Sequence, residues 1–248
     1  MGLLVARRGI LAAGAASPEV TLGDYSDEVA DDNPLMHLSA TSNGTWTDIS
    51  GNGRHATIVG ATTGLNGPTS EDGSEAVGFD GTDDYASVTH GAWMDVAELT
   101  LEVWLYVIDA NALLNQDTWF GRPVSTSPTE IPYVMRYEAG VLGGGYFTGG
   151  DRWWVDGSDP SSVEASWVHC VLTVEDVGGG NRELKWYENK VLKDTGTTSE
   201  AIPQRTSDLF LGAEDGRRFF ECRLAEPALY DYPLSATRVG AHYDAAVS

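Results

Sequence analysis

Two glycine-rich turns constrain the fold of this chain more than any other feature of its sequence. Residues 48–55 read Asp-Ile-Ser-Gly-Asn-Gly-Arg-His, and residues 79–85 read Phe-Asp-Gly-Thr-Asp-Asp-Tyr. Glycine adopts positive φ without steric cost, and Asp and Asn side chains in turns hydrogen-bond to their own backbone. Because short apolar runs flank both segments, the pattern predicts two tight turns between β-strands.

Short stretches with strand character occupy most of the remaining chain. Alternation is clearest in residues 99–107, whose apolar residues Leu99, Leu101, Val103, Leu105 and Val107 share one face of a strand. Further strands are predicted at residues 35–38, 86–89, 133–137, 145–147, 152–155, 167–174, 183–188, 209–211 and 222–230. A short helix is predicted over residues 235–243, capped by Ser235. This pattern favours an all-β sandwich with Leu101, Val103, Leu105, Val168 and Leu172 in its core.

Taken in order, these landmarks resemble the laminin-G-like, concanavalin A-like jelly-roll family over roughly residues 25–245. They are Asn33-Pro34 with the strand that follows, the two turns, Leu-Thr-Leu-Glu-Val-Trp-Leu at 99–105, Trp-Val-His at 167–169, Leu-Lys-Trp-Tyr-Glu-Asn-Lys at 184–190, Cys-Arg-Leu-Ala-Glu-Pro-Ala-Leu-Tyr at 222–230, Leu-Ser at 234–235 and His-Tyr at 242–243. The resemblance implies a two-sheet antiparallel jelly-roll sandwich that acts as a binding module more often than as an enzyme.

Two residues depart from the family pattern. Lys190 stands where the family tends to have a glycine, so Asn189 is expected to take the left-handed conformation instead. Pro227 interrupts the penultimate strand, which predicts a sheet edge or a β-bulge there.

The charge balance is strongly acidic, with 37 Asp and Glu against 15 Lys and Arg and a net charge of −22. Such a surface repels phosphate backbones, which argues against nucleic acid as a partner. Only three of the basic residues are lysines (Lys185, Lys190 and Lys193). Two explanations stay open: a GC-rich genome that favours arginine codons, or a halophilic protein whose carboxylates repel one another less in high salt.

The two cysteines, Cys170 and Cys222, are too few for a disulfide framework. Free buried thiols are the default expectation. A single bridge between neighbouring strands is the alternative.

The N-terminus is predicted to be an arm (residues 1–24) outside a jelly-roll domain (residues 25–248). Arg7 and Arg8 followed by small apolar residues faintly resemble a twin-arginine export signal, although the apolar run is short. No segment is long enough to span a membrane. We expect the arm to be an assembly element that contacts another copy of the chain or another protein, through Leu3, Leu4, Val5, Arg7, Arg8, Ile10 and Leu11.

Residues 143–159 form the best candidate for a ligand site. Aromatic rings stack on the apolar faces of sugars, and charged side chains reach their hydroxyl groups. The predicted glycan-binding residues are Tyr146, Asp151, Arg152, Trp153, Trp154 and Asp156. The alternative is that one of the two tryptophans faces the core and the other covers a loop or an oligomer contact.

The acidic turns could hold a cation, because hard oxygen donors are the ligands that Ca²⁺ prefers. The candidate ligands are Asp48, Asn52, Asp80 and Asp83, with Asp84 beside them. The alternative is that these side chains only hydrogen-bond to their own turns.

No catalytic motif is evident, so the sequence predicts a protein that is not an enzyme. Glucanases of this fold carry a Glu-x-Asp-x-x-Glu strand, which the chain lacks, and the chain has no Gly-x-Ser-x-Gly elbow. The five histidines have no metal-ligand spacing, and His169 is expected to be a packed strand residue.

Two functions are therefore considered. The first is a structural component of a virion of bacteria or archaea, such as a tail, fibre or capsid-decoration protein that contacts copies of itself, other virion proteins or a host glycan. The second is a carbohydrate-binding module that is secreted or held at the cell surface.

Overall fold

The computed structural model describes residues 22–41, 45–68, 75–123 and 129–247. The predicted assembly residues Leu3, Leu4, Val5, Arg7, Arg8, Ile10 and Leu11 lie outside the described residues. In chain order the described elements are α1 (Leu22–Asp31), β1 (Met36–Thr41), β2 (Thr45–Asp48), β3 (Thr57–Val59), β4 (Thr62–Asn66), β5 (Glu75–Asp80), β6 (Tyr85–Val88), β7 (Leu99–Val107), β8 (Thr118–Gly121), β9 (Ile131–Glu138), β10 (Val141–Thr148), β11 (Asp151–Asp156), β12 (Trp167–Gly178), β13 (Asn181–Glu188), β14 (Val191–Thr198), β15 (Leu209–Leu211), β16 (Glu221–Tyr230) and α2 (Ala236–Val247).

The strands form two antiparallel sheets, which confirms the predicted sandwich. The first sheet has the order β14-β13-β12-β7-β16-β1-β2, with β5 paired to β16 and β4 paired to β5. The second sheet has the order β11-β10-β9-β8-β15-β6-β3. Strands that are neighbours in a sheet are often far apart in the sequence, as β7 and β16 are. Such long connections are typical of a jelly roll.

The predicted core residues lie between the two sheets. In the first sheet Leu101 pairs with Leu172, and Leu105 pairs with Val168. All four are buried, and so is Val103, which pairs with Cys170. Directly opposed residues of an antiparallel pair point to the same side, so the alternation in β7 turns one complete apolar face into the core.

Both cysteines lie in this core as free thiols, which confirms the default expectation. Burial raises the pKa of Cys170 and of Cys222 well above the usual value, so both thiols are held in the neutral form.

The two helices cover the outer face of the first sheet. Tyr25 of α1 and Val239 of α2 are fully buried in a second apolar cluster with Trp104 of β7. The strand is therefore buried on both faces, a feature that its alternating sequence does not predict. Helix α1 begins at Leu22, so the predicted boundary between residues 24 and 25 falls inside it.

The C-terminal helix begins where the sequence predicted and runs four residues further. The Ser235 hydroxyl accepts a hydrogen bond from the Arg238 backbone N–H at 3.3 Å, which confirms the predicted cap. Within the described part of the chain, no helix is long and apolar enough to cross a membrane.

The two departures from the family pattern both have local consequences. Asn189 takes the left-handed conformation with φ 48°, as predicted, and Lys190 also takes it with φ 61°. The register of β16 against β7 shifts between Ala225 and Ala228, which confirms a bulge around Pro227.

Candidate ligand-binding face

The outward face of the second sheet carries aromatic and arginine side chains near its β11 edge. Side chains alternate along β11, so Trp153 and Val155 pack toward the core. The intervening residues Arg152, Trp154 and Asp156 point outward. Strand β11 therefore turns Trp153 and Val155 toward the core and presents Arg152, Trp154 and Asp156 on the outward face.

Two glycines of the neighbouring strand β10 set the position of Trp154. A Cβ built on Gly143 would lie 2.8 Å from Trp154 Nε1, so any side chain there would collide with the indole. A Cβ on Gly145 would lie 2.0 Å from the Trp153 carbonyl oxygen, so the two backbones could not approach as closely. The indole packs beside Phe147, with the ring centroids 6.4 Å apart.

Two guanidinium groups and one carboxylate complete this surface. Arg136 Cζ lies 4.5 Å from the Phe147 ring and 5.6 Å from the Trp154 ring, and Arg152 Cζ lies 5.5 Å from the Trp154 ring. Glu138 pairs with Arg136 at 2.5 Å and with Arg152 at 3.5 Å. We refer to Arg136, Glu138, Phe147, Arg152 and Trp154 as the outer cluster.

The two arginines of the outer cluster differ in their access to solvent. Arg136 is 2% exposed, and burial lowers its pKa although Glu138 and Glu214 act in the opposite direction. Arginine remains charged at neutral pH even so, and Arg136 therefore anchors the cluster. The Arg152 side chain is 39% exposed, so it can offer N–H donors to a ligand beside the half-buried Trp154 ring.

The structure divides the six predicted glycan-binding residues. The prediction of Tyr146 as a stacking surface is wrong, because its ring is fully buried and its hydroxyl donates to the Glu200 carbonyl at 2.7 Å. Trp153 packs against the core, which is the arrangement that the alternative gave for one of the two tryptophans. Asp151, Arg152 and Asp156 are exposed and Trp154 is half-buried, so these four remain accessible to a ligand.

The first turn uses its polar side chains to hold itself together. The Asp48 carboxylate accepts hydrogen bonds from the backbone N–H groups of His37 at 3.1 Å and Arg54 at 2.7 Å. Burial raises the pKa of Asp48, but these and other hydrogen bonds outweigh that effect and lower it. Asn52 donates to the Leu35 carbonyl at 3.0 Å. Both side chains therefore hold the turn together, which is the arrangement that the alternative gave, and their role as metal ligands stays a prediction.

The second turn brings acidic groups together. Oxygens of Asp80, Asp83 and Asp84 lie within 4.8 Å of one another, the one such group of three among the described residues. Asp80 Oδ1 accepts from the Thr82 N–H at 2.8 Å, and Asp84 Oδ2 accepts from the Asp80 N–H at 3.0 Å. The donor chemistry fits Ca²⁺, while the backbone already occupies part of the carboxylate capacity. Calcium at Asp80 and Asp83 stays a prediction.

A buried ionic cluster beneath the helices is the feature that the sequence analysis missed. Glu102 of β7 is fully buried. His169 lies 2.7 Å from its carboxylate and His242 lies 3.0 Å away. Two hydroxyl groups also donate to the carboxylate, from Tyr25 at 3.2 Å and Tyr230 at 2.9 Å. The direct contacts leave no gap for a metal ion between carboxylate and imidazoles, and both helices shield the cluster from substrate.

The protonation states in this cluster support one another. Burial alone would raise the pKa of Glu102, but His242 and His169 lower it well below the usual value. Burial likewise acts to lower the pKa of His242, but Glu102 and Asp32 outweigh it and raise that pKa. The cluster is therefore an ion pair that joins β7 to α2. One feature of the sequence indicates the cluster: Glu102 is the one charged residue in the strand over residues 99–107, which is otherwise largely apolar.

Comparison with known proteins identifies the family. Residues 80–240 match the laminin-G-type family described as the concanavalin A-like lectin/glucanases superfamily. The chain therefore belongs to this superfamily, which confirms the resemblance found in the sequence. No curated protein sequence matches the chain.

Solved structures with the same fold include domains of bacterial toxins. The binding domain of Paraclostridial Mosquitocidal Protein 1 superposes with a TM-score of 0.65 at 16% identity, covering 86% of this chain and 52% of that one. The binding domain of Botulinum Neurotoxin DC in complex with SialylT gives 0.63 at 12% identity, covering 88% and 52%. The botulinum neurotoxin serotype D binding domain gives 0.60 at 12%, covering 86% and 52%. The chain spans about half the length of these structures, and the likeness concerns the fold.

Proposed function

We propose that this chain is a non-enzymatic module that binds a glycan on the outer cluster. The observation that carries the proposal is the position of Trp154, half-buried on the outward face of the second sheet between two arginines. A pyranose ring can pack its C–H face on an indole, and the exposed Arg152 side chain can donate to its hydroxyl groups. Asp156, exposed on the same face of β11, can accept from them.

The comparison with known folds supports sugars as the first ligands to test. One structurally similar domain, from Botulinum Neurotoxin DC, was solved in complex with SialylT. SialylT therefore belongs in the first set of glycans offered to this chain.

The absence of catalysis is part of the proposal. The sequence lacks the Glu-x-Asp-x-x-Glu strand of glucanases of this fold. Glu102, whose pKa is strongly shifted, is fully buried beneath two helices, where a polysaccharide cannot reach it. A panel of polysaccharides and aryl glycosides should give no turnover above background. Release of reducing ends that is abolished by mutating one carboxylate would contradict the proposal.

A glycan array with matched variants tests the site. Trp154→Ala and Arg152→Gln should abolish binding of any glycan that the wild-type protein retains. Trp167→Ala is the control, because Trp167 is also half-buried but lies in the first sheet against Tyr106. Binding that survives in both test variants, or an array with no bound glycan, would overturn the proposal.

We further propose that the module works at an outer surface, either on a virion or on a secreted or cell-surface protein. The acidic, lysine-poor composition supports a virion component, and residues 1–21 would supply its assembly contacts. A truncated chain that begins at Leu22 keeps α1 intact. Circular dichroism should show that the truncated chain is folded, and light scattering should show that it is monomeric, while the full chain associates. Equal oligomeric states for the two would contradict the assembly role.

A further inference from the structure

A cleft lies in the second sheet, toward the edge opposite to the outer cluster. Its volume is about 350 Å³, within the range of small-molecule sites. It is lined by Gly53, Arg54, His55, Val88, Thr89 and Trp93. The outer cluster lies on β9, β10 and β11, and the cleft lies at β6 and the turn before β3, so at least three strand spacings, roughly 14 Å, separate the two.

Two hydrogen-bond donors in this cleft are held in place. Asp48 accepts from the Arg54 N–H at 2.7 Å, which fixes the turn that carries the guanidinium. The guanidinium packs on the Trp93 ring with Cζ 3.9 Å from the centroid, and it also donates to the Leu35 carbonyl. A stacked arginine loses little conformational freedom when a ligand binds.

The imidazole of His55 is oriented by the same turn. Its Nδ1 accepts a hydrogen bond from the Asp48 backbone N–H at 3.0 Å. The neutral ring therefore carries its proton on Nε2, which makes Nε2–H a donor. His55 is exposed, so this donor is open to a ligand.

The lining contains no carboxylate, although the chain has 37 acidic residues against 15 basic ones. A neighbouring cleft of the same protein is lined by Asp80, Asp84 and Glu221, so this difference is local. Asp48 and Asp231 act on Arg54 from outside the lining and offset part of its charge. Arg54 is the one permanently charged side chain in the lining, which suits a ligand group with a single negative charge.

We propose that this cleft binds a monoanionic oxyanion group, a carboxylate or a sulfate monoester, on a small ligand. Arg54 and His55 Nε2–H donate to the oxyanion, as in charge-assisted hydrogen bonds between guanidinium and carboxylate. The half-buried Trp93 ring contacts the apolar part of the ligand. The site is independent of the outer cluster and of the glycan proposed there.

An NMR titration of the full chain tests the proposal. Sodium acetate and sodium methyl sulfate are the two probes, and sodium chloride at equal ionic strength is the control. The His55 ring and the Trp93 indole should shift and saturate with at least one probe. The probe that saturates at lower concentration identifies the source of the oxyanion. Shifts that match those in chloride, or that stay linear without saturation, would overturn the site.

Variants connect the signal to the cleft. Arg54→Gln should weaken binding of the better probe at least tenfold. Arg223→Gln should leave it unchanged, because Arg223 stacks on Tyr106 at 5.1 Å in the acidic cleft instead. Should Arg54→Gln fail to fold, His55→Asn is the second variant: its side-chain oxygen can replace Nδ1 as the acceptor for the Asp48 N–H, but it lacks the Nε2–H donor and should reduce the affinity. Unchanged affinity in a folded Arg54→Gln protein would contradict the proposal.

Discussion

Glu102 is a single residue that connects both helices, α1 and α2, to the first sheet. It interrupts an apolar strand, yet four side chains from α1, α2, β12 and β16 satisfy its carboxylate. A buried charge without partners costs far more than the same charge in a complete network. His242, at 3.0 Å from this carboxylate, therefore helps to hold α2 on the first sheet.

Replacing Glu102 with Leu should destabilise the protein by about 3–5 kcal/mol, because it leaves two imidazoles and two hydroxyl groups buried without their acceptor. Urea denaturation would measure the change in the free energy of unfolding. Glu175→Gln is the control, since Glu175 is 44% exposed and pairs with Lys185 at 3.8 Å. The control should cost less than about 1 kcal/mol. Equal costs for the two variants would contradict the account of the cluster.

The same cluster predicts a pH dependence. The raised pKa of His242 means that its stabilisation is complete below the ordinary value of 6.5 and is lost as the pH rises through the raised value. The lowered pKa of Glu102 means that its stabilisation is complete above 4.5 and is lost as the pH falls through the lowered value. The free energy of unfolding should therefore be highest between these limits and fall on both sides.

His242→Gln should remove the alkaline part of this dependence, because the ionisable partner is gone. Free energies of unfolding measured at a series of pH values above 6.5 would test it. His90→Gln is the control, since His90 is a partly exposed histidine 3.6 Å from Asp95 and distant from the helices. A wild-type alkaline slope in His242→Gln would show that another group carries the effect.

At the scale of elements, the sequence predicts one face of strand β7 but not the other. Its bounds and its core face follow from the alternation of Leu99 to Val107, and the structure confirms both. The burial of Trp104 on the other face does not follow, because it depends on helices far away in the chain. The sequence analysis does not predict helix α1, in which four of the ten residues are acidic.

Short and polar strands were also missed, for a physical reason. The sequence pattern does not predict β2, β3, β4, β5, β8 and β14, most of which are short or polar, because each is stabilised by its partners in the sheet rather than by its own propensity. The candidate site follows the same rule. Alternation in β11 predicts that Trp153 and Trp154 face opposite ways, but only the pairing to β10 shows that Trp154 is outermost.

Replacing Val103 with Asp should prevent soluble folding, because the new carboxylate would be buried in the centre of the core without a partner. Soluble yield and thermal melting would measure the effect. Val177→Asp is the matched control, since Val177 is 50% exposed at the end of β12, and it should melt close to the wild type. Normal melting of the Val103→Asp protein would refute the core assignment.

At the scale of the whole molecule, composition predicts the acidic surface but not the places where arginines lie on it. The 37 acidic side chains exceed the 15 basic ones by 22, so most of the negative charge is not neutralised by Lys or Arg. The outer cluster contains two arginines and the Arg54 cleft contains one, on a surface that is otherwise acidic. Their positions depend on pairing between strands, which composition cannot predict.

The excess of carboxylates makes salt tolerance a property of the entire surface. Repulsion among exposed charges is screened within about 10 Å at 0.1 M salt and within about 3 Å at 1 M. Surface ion pairs also weaken with salt, but each contributes little beside the repulsion from a net charge of −22. The melting temperature should therefore rise or hold from low to molar KCl. A variant with Asp27→Asn, Asp31→Asn and Glu200→Gln removes three exposed charges and should respond less to salt. A steady fall in the wild-type melting temperature with added KCl would contradict the halophilic interpretation and leave codon usage as the explanation for the scarcity of lysine.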